Sequence, residues 1–407
     1  MVGCKKHVPV VIALLCIGCA SFAGVAQQTG IDEQVRPALR VVNQSQAGSA
    51  GLSPAQIRNV YGFDQVANQG EGQVIAIVDA YDHPRIEKDL AKFSKEFDLP
   101  ECDSSSGCFQ KIYASGERPD EVPIWTLEIA LDVEWAHAIA PKARILLVEA
   151  ASADLSVVLA AVDVAVNHGA NVVSMSWGVQ DFRKDPSINN HFLAPGVMFV
   201  AGSGDRGGDP RPPDNGGAFY PASSPYVLGV GGTTLQLDQN GHYFETAWRG
   251  SGGGQSPGTP PFELAPLFQS TFPIPNNPAF RRGVPDVAYN ADPDFSGYPV
   301  YNSAPAGSTG LKGWLQVGGT STATPQWAGL VAIANSIRAA NNKLPLSGSA
   351  AAFYQVANST TFNDITTGSN GSCENQSLCT AAVGYDYVTG LGTPRVNNLI
   401  AALASQP

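Results

Sequence analysis

Five short runs rich in branched apolar residues punctuate the chain: VIAIVDA (74–80), ARILLVEA (143–150), NVVSMSW (171–177), VMFVAGSG (197–204) and YVLGVGG (226–232). Unbroken apolar runs of this length mark strands buried on both faces of a parallel sheet. Between them lie helical stretches, IEKDLAKFSKEF (86–97), the segment 122–139 and LSVVLAAVDVAVNHG (155–169), which alternate with the strands as crossover helices do. The pattern predicts an α/β fold of three layers around a mainly parallel central sheet. From Gly250 to Gly313 the chain turns to glycine, proline and polar residues, which predicts loops rather than a second core. A last long helix is expected over 322–340, with Pro325 in its first turn, where a missing N–H is harmless. No internal repeat is present.

Composition narrows the class. The 407 residues are 43% hydrophobic and only 14% charged, as in a globular protein with one large core or two modest ones. The formal net charge of -11, with no run of lysine or arginine, argues against a nucleic-acid partner. The N-terminus carries Lys5 and Lys6, an apolar run from Val8 to Ile17 and small residues at Ala23 and Ala26, the layout of an export signal over 1–26. The run is shorter than the roughly 20 residues that span a bilayer, so no membrane span is expected. Cys19 fits a lipid-attachment pattern poorly. Residues 27–51 then form a short leader, and 52–407 the folded domain.

Removal of the signal takes Cys4, Cys16 and Cys19 with it and leaves Cys102, Cys108, Cys373 and Cys379. Four cysteines permit three pairings, and the two local loops, Cys102 to Cys108 and Cys373 to Cys379, are the expected pair in an oxidising compartment. Zinc is the rival, weakened by the spacing and by the lack of a histidine nearby in sequence.

Three segments carry candidate chemistry. GGTSTATPQWAG places Ser321 after a glycine-rich turn at the start of a helix, where backbone N–H groups and the helix dipole favour developing negative charge. A Gly-Thr-Ser before a helix is also a common N-cap, so Ser321 needs partners. A histidine would be the usual one, yet none of the six is set in a glycine-flanked helix start, and His137 reads as a packed imidazole. WTLEIALDVEWAHAIAP instead puts Glu128 and Asp132 four residues apart, on one face of a helix that is apolar nearly all round. Buried together, like charges resist joint ionisation, so the pair can share a proton and still accept one from a serine in acid. In FVAGSGDRGGD, Asp205 ends a strand, where α/β sites gather, and a protonated Asp205 would donate to an oxyanion; the plainer role is an Asx turn.

LEIALDVEWAHAIAPKARI, VVSMSWG, SGDRG, YPASSPYVLGVGGTTL, PDVAYNADPDFSGY, GGTSTATPQWAGL and the tail FNDI with GYDYVTGLGTP follow one another from Leu52 to Leu403. In this order they resemble the sedolisin family of serine-carboxyl peptidases, which shares the subtilisin fold. The resemblance implies Ser321 as nucleophile, Glu128 as its general base, Asp132 as the residue tuning Glu128, and Asp205 as oxyanion-hole donor. It implies that Ser176, Trp177 and Gly178 line the substrate, with Trp177 walling a subsite, although Trp177 also reads as core. One structural Ca²⁺ is implied on Asp364 and Asp386 with the main-chain oxygens of Ile365, Ala382 and Gly384, Ala382 standing where glycine is usual.

The expected activity is a secreted, acid-active serine endopeptidase acting on polypeptide, and nothing in the sequence calls for assembly beyond a monomer. The resemblance also implies a long propeptide, whereas only about twenty-five residues separate the signal from Leu52. Either Gln27–Ala50 serves as a short leader or a separate chain helps folding. Two other readings remain: a histidine-dependent subtilase using Asp79, and an inactive binding module on the same scaffold.

Overall fold

The computed structural model describes Met1, Gly3 and residues 33–44, 51–211, 215–239, 242–304 and 310–407; the expected signal segment, with Cys4, Cys16 and Cys19, lies outside them. An eight-stranded sheet runs through the centre. From one edge its strands are Tyr243–Ala247, Leu228–Leu237, Met198–Gly202, Val172–Met175, Val74–Ala80, Arg144–Ala150 and Phe109–Tyr113, with Val287–Asn290 also paired to Leu228–Leu237. All pairs are parallel except that of Tyr243–Ala247 with Leu228–Leu237. The five apolar runs supply five of these strands.

Strand periodicity splits the core in two. In Val74–Ala80, Ile75 and Ile77 join one apolar cluster, while Ala76, Val78 and Ala80 join the other on the opposite face. Helix Leu155–Asn167 covers the second face through Leu155, Val158, Leu159 and Val162. The first face is covered by Ile86–Glu96, Pro123–Ile139 and Thr320–Ala340. Helix Pro123–Ile139 is buried from Trp125 to its end, which explains why its sequence is apolar on every side. Gly329 lets it approach Thr320–Ala340 closely, since a Cβ there would lie 2.7 Å from Ile139 Cγ2.

The stretch 250–313 is loop-dominated as expected but carries short strands, and the start of the last helix needs correction. The stretch 250–313 holds strands at Gly254–Gln255, Gly283–Val284, Val287–Asn290 and Tyr298–Asn302, and the last pairs with Gly313–Gly318. These strands are two to six residues long, too short for a hydrophobic period to declare itself, and they are set by non-local pairing. The last helix starts at Thr320, so Pro325 lies inside it rather than in its first turn. Its missing N–H frees the Ser321 carbonyl, which accepts instead from the Ser176 hydroxyl at 3.5 Å.

Both local disulfides form, Cys102–Cys108 with Cα atoms 4.9 Å apart and Cys373–Cys379 with 5.8 Å. The fold brings His137, distant in sequence, to within 4.8 Å of both sulfurs of the first pair. Those sulfurs are bonded to each other and offer no thiolate for zinc.

Candidate active site

Ser321 sits in the first turn of Thr320–Ala340 behind Gly319, whose φ of 113° and bare Cα let other groups crowd against it. Its hydroxyl donates to the Ser176 carbonyl at 3.2 Å and also faces Glu128, where its proximity favours the ionised carboxylate. Ser321, Glu128, Asp132 and Asp79 are all fully buried. The four-residue spacing on Pro123–Ile139 stacks Glu128 and Asp132 as expected. The odd positions of Val74–Ala80 face the same helix, so the alternation that buries Ile75 and Ile77 carries Asp79 to the pair.

Three carboxyls therefore share one dry pocket. Burial, then Asp132, then Asp79 push the Glu128 carboxyl well above its ordinary range. Burial and the Asp79 charge do the same to Asp132, against the Ser176 hydroxyl beside it. Burial alone lifts Asp79 to about 8. None of the six oxygens of these carboxyls has a hydrogen-bond partner among the described residues. Such a cluster is tolerable only when largely protonated.

Asp205 comes from the turn after Met198–Gly202 and is fixed from the serine helix. Its Oδ1 accepts from Thr320 N at 2.8 Å and Thr320 Oγ1 at 3.1 Å. Its Oδ2 is sealed and unpartnered, facing the gap over Gly319. Burial raises this carboxyl to about 7, against the pull of the Thr320 bonds and Arg40.

The histidines stay away from Ser321 wherever they are described. His83 pairs with Asp89 at 3.3 Å, His137 bonds the Pro100 carbonyl at 2.8 Å, and His168, His191 and His242 lie on local partners. Asp79 lacks the histidine that the rival reading required; its neighbours are Glu128 and Asp132.

Ser176, Trp177 and Gly178 lie beside the serine. The Trp177 indole is fully buried, donating to the Val78 carbonyl at 2.7 Å, and the backbone of 177–178 is what faces the cleft. That backbone is already paired: Arg36 opposes Gly178 and Pro37 opposes Trp177, antiparallel. The residues expected to be a separate leader thus lie in the cleft itself, where Ala38 N donates to the Ser176 carbonyl at 3.1 Å and Ser321 N donates to the Ala38 carbonyl at 3.0 Å.

In the tail, the fold gathers Asp364 and Asp386 around one loop. Gly384 N donates to Asp364 Oδ2 at 2.9 Å, and Ala382 N to Asp386 Oδ2 at 3.2 Å. Asp386 is 1% exposed, burial lifts it to about 6, and no cationic side chain pairs with it among the described residues.

The fold agrees with the comparisons. The sequence model of the subtilase family matches residues 128–350, more than half of the chain, which belongs to that family. Its relatives there are sedolisins. Kumamolisin of Bacillus sp. (strain MN-32) is 32% identical over 385 residues, spanning 89% of this chain and 65% of that protein. Sedolisin of Pseudomonas sp. (strain 101) is 31% identical over 258 residues, spanning 57% of this chain and 40% of its own length. The solved structure of Pseudomonas sedolisin, a serine-carboxyl proteinase complexed with two molecules of pseudo-iodotyrostatin, superimposes with a TM-score of 0.71 at 26% identity. It covers 89% of this chain and the whole of that one. The chain thus spans less than two thirds of the length of these two curated relatives.

Proposed function

We propose that this chain is an exported, acid-active serine endopeptidase that hydrolyses polypeptides through a serine ester, using carboxyls where other subtilases use histidine. The observation that carries this is the Ser321 hydroxyl beside Glu128 in a sealed pocket with Asp132 and Asp79, with a buried, unpartnered Asp205 Oδ2 held from the same helix start through Thr320. The Ser321 proton passes to an ionised Glu128 as Oγ attacks the carbonyl carbon; Asp132 and Asp79 hold the remaining protons and set how readily Glu128 ionises. The developing oxyanion is met by Ser321 N–H and by protonated Asp205. Glu128 then returns the proton to the leaving amine, and water repeats the sequence on the ester.

The backbone of Ser176–Gly178 aligns the substrate strand, with buried Trp177 bracing it from below. Bound Ca²⁺ would be held by the carboxylates of Asp364 and Asp386 with the carbonyls of Ile365, Ala382 and Gly384, an all-oxygen set around a buried carboxyl with no cationic partner among the described residues, and its charge would tie the tail loop to the domain. Two local disulfides and the apolar N-terminal run support export. Among the described residues no helix is long and apolar enough to cross a membrane.

The test is digestion of an unfolded protein from pH 2 to 9 by the parent, Ser321→Ala and Glu128→Ala. Cleavage should peak in acid and fall at least about 10²-fold in both variants. A peak above neutral pH, or activity surviving loss of Glu128, would sink the carboxyl mechanism.

A further inference from the structure

We propose that the reduced form of this chain binds Zn²⁺ through Cys102, Cys108 and His137, so that the Cys102–Cys108 disulfide and a bound ion are alternative states of one site. The inference is independent of the peptidase reading.

The three residues converge from separate elements. Cys102 and Cys108 close the loop between Ile86–Glu96 and Phe109–Tyr113, and His137 lies in the last turn of Pro123–Ile139. The two sulfurs and one ring nitrogen lie within 4.8 Å of one another. A tetrahedral Zn²⁺, with bonds of about 2.3 Å to sulfur and 2.0 Å to nitrogen, holds such atoms roughly 3.5–3.8 Å apart. Small side-chain rotations close that difference once the sulfurs are free to separate.

The imidazole singles this site out. His137 is fully buried, and its Nε2 lies 2.8 Å from the Pro100 carbonyl. A carbonyl only accepts, so Nε2 bears the hydrogen and Nδ1 is left with a bare lone pair. Nδ1 has no hydrogen-bond partner among the described residues. A buried acceptor left unmatched is destabilising. An imidazole held by a backbone carbonyl through one nitrogen, with the other free, has the orientation of a metal-ligating histidine.

The loop keeps its thiols together without the sulfur–sulfur bond. Phe109 N donates to the Asp103 carbonyl at 3.0 Å and Ser106 N to Asp103 Oδ1 at 2.7 Å. Ser104 donates to Glu87 Oε1 from N at 2.9 Å and from Oγ at 2.7 Å, which ties the loop to Ile86–Glu96. Cys102 is 1% exposed but Cys108 only half-buried, so the ion enters from the loop side. Two thiolates and an imidazole select a borderline-soft cation, and three protein ligands leave a fourth position for water.

The exchange is balanced. A dithiol reductant passes two electrons and two protons to the disulfide and becomes a disulfide itself; Zn²⁺ then displaces the two thiol protons. In reverse, a disulfide oxidant such as oxidised glutathione takes two electrons from the thiolates and two protons from water, the Cys102–Cys108 bond forms, and Zn²⁺ leaves. The disulfide closes only its own loop, whereas the ion also fastens that loop to the helix carrying Glu128 and Asp132.

The test uses the full chain with Cys4, Cys16, Cys19, Cys373 and Cys379 changed to serine, reduced with a phosphine and titrated with Co²⁺. Thiolate-to-cobalt charge-transfer bands and tetrahedral visible bands should appear, saturate at one ion per chain and vanish on adding Zn²⁺; the oxidised chain should show neither. Cys102→Ser should abolish them, and His137→Gln should weaken binding at least about 10-fold. X-ray absorption of the Zn²⁺-loaded chain should show two sulfurs with nitrogen beside them, a result that stands even where His137→Gln misfolds. Should the serine replacements unfold the chain, the difference between reduced parent and Cys102→Ser reads the same site. Uptake no greater than that of Cys102→Ser overturns the proposal. Equal affinity in His137→Gln, or in the urea-unfolded reduced chain, overturns the built three-ligand site and leaves simple dithiol chelation.

Discussion

Replacing Asp79 by asparagine should make the protein more stable near neutrality and leave it little changed in acid. Asp79 is fully buried, and burial lifts its carboxyl from 3.8 to about 8. The folded chain therefore holds this proton more tightly than the unfolded chain and binds more protons anywhere between those values. Stability is fully present below about pH 4 and declines as pH rises through the folded pKa. About four units at 1.36 kcal/mol each set a ceiling on the order of 6 kcal/mol. Asp79, Asp132 and Glu128 compete for the same protons, so one substitution recovers only part of that, about 3 kcal/mol. Urea unfolding of parent and Asp79→Asn at intervals from pH 4 to 8 measures it. The curves should coincide at pH 4 and separate steadily above pH 5. Parallel curves, or a variant destabilised equally at every pH, would refute the idea that Asp79 is an uncompensated buried carboxyl.

Asp205→Asn keeps a donor at the oxyanion whatever the pH, so the fall in kcat as pH rises through about 7 should vanish, whereas Asp205→Ala should lower kcat about 10²–10³-fold at the optimum. Gly319→Ala adds a methyl against the Ala38 carbonyl and Asp205 Oδ2 at a positive φ; folding should cost roughly 1–3 kcal/mol more and turnover should be lost, as melting and digestion assays would read. If Ca²⁺ binds at Asp364 and Asp386, chelation should lower Tm and Asp386→Ala should lower it without further response to chelator; an unchanged Tm removes the ion.

What could be read in the sequence was what local chemistry determines. The buried strands declared themselves by unbroken apolar runs, the Glu128–Asp132 pair by its four-residue spacing, and the disulfides by loops with a sequence separation of 6. Asp79 was visible only as the end of a strand. Its alternation with Ile75 and Ile77 fixes the face it occupies, but no local signal says that Pro123–Ile139 covers that face. The leader is the same case: VRPALR carries no mark of the cleft, because its partners at 153–155 and 176–178 lie more than 100 residues downstream. Short strands such as Tyr298–Asn302 were lost for the same reason, since their pairing partner, not their composition, makes them strands.

The buried carboxyls tie stability and chemistry to one pH range. At neutral pH the pocket would hold charges without counter-ions, and the fold would bear their desolvation. In acid most of these groups would be neutral, and the proposed reaction would use the same protons. On the proposed mechanism the two halves of the site ask for opposite states: Asp205 would have to keep its proton to donate, while Glu128 would have to lose its own to accept one from Ser321. With its carboxyl raised to about 7 by burial, Asp205 would then set the upper bound. The lower bound belongs to the trio, where a proton held by Asp132 or Asp79 lets Glu128 ionise without a second charge beside it. A histidine of ordinary pKa in place of Glu128 would be mostly cationic over the acid part of that range, where it would be a poor base. On the proposed mechanism, carboxyl partners and an acid optimum would be one design, and a change at Asp205 that keeps a donor should suffice to carry activity above neutrality.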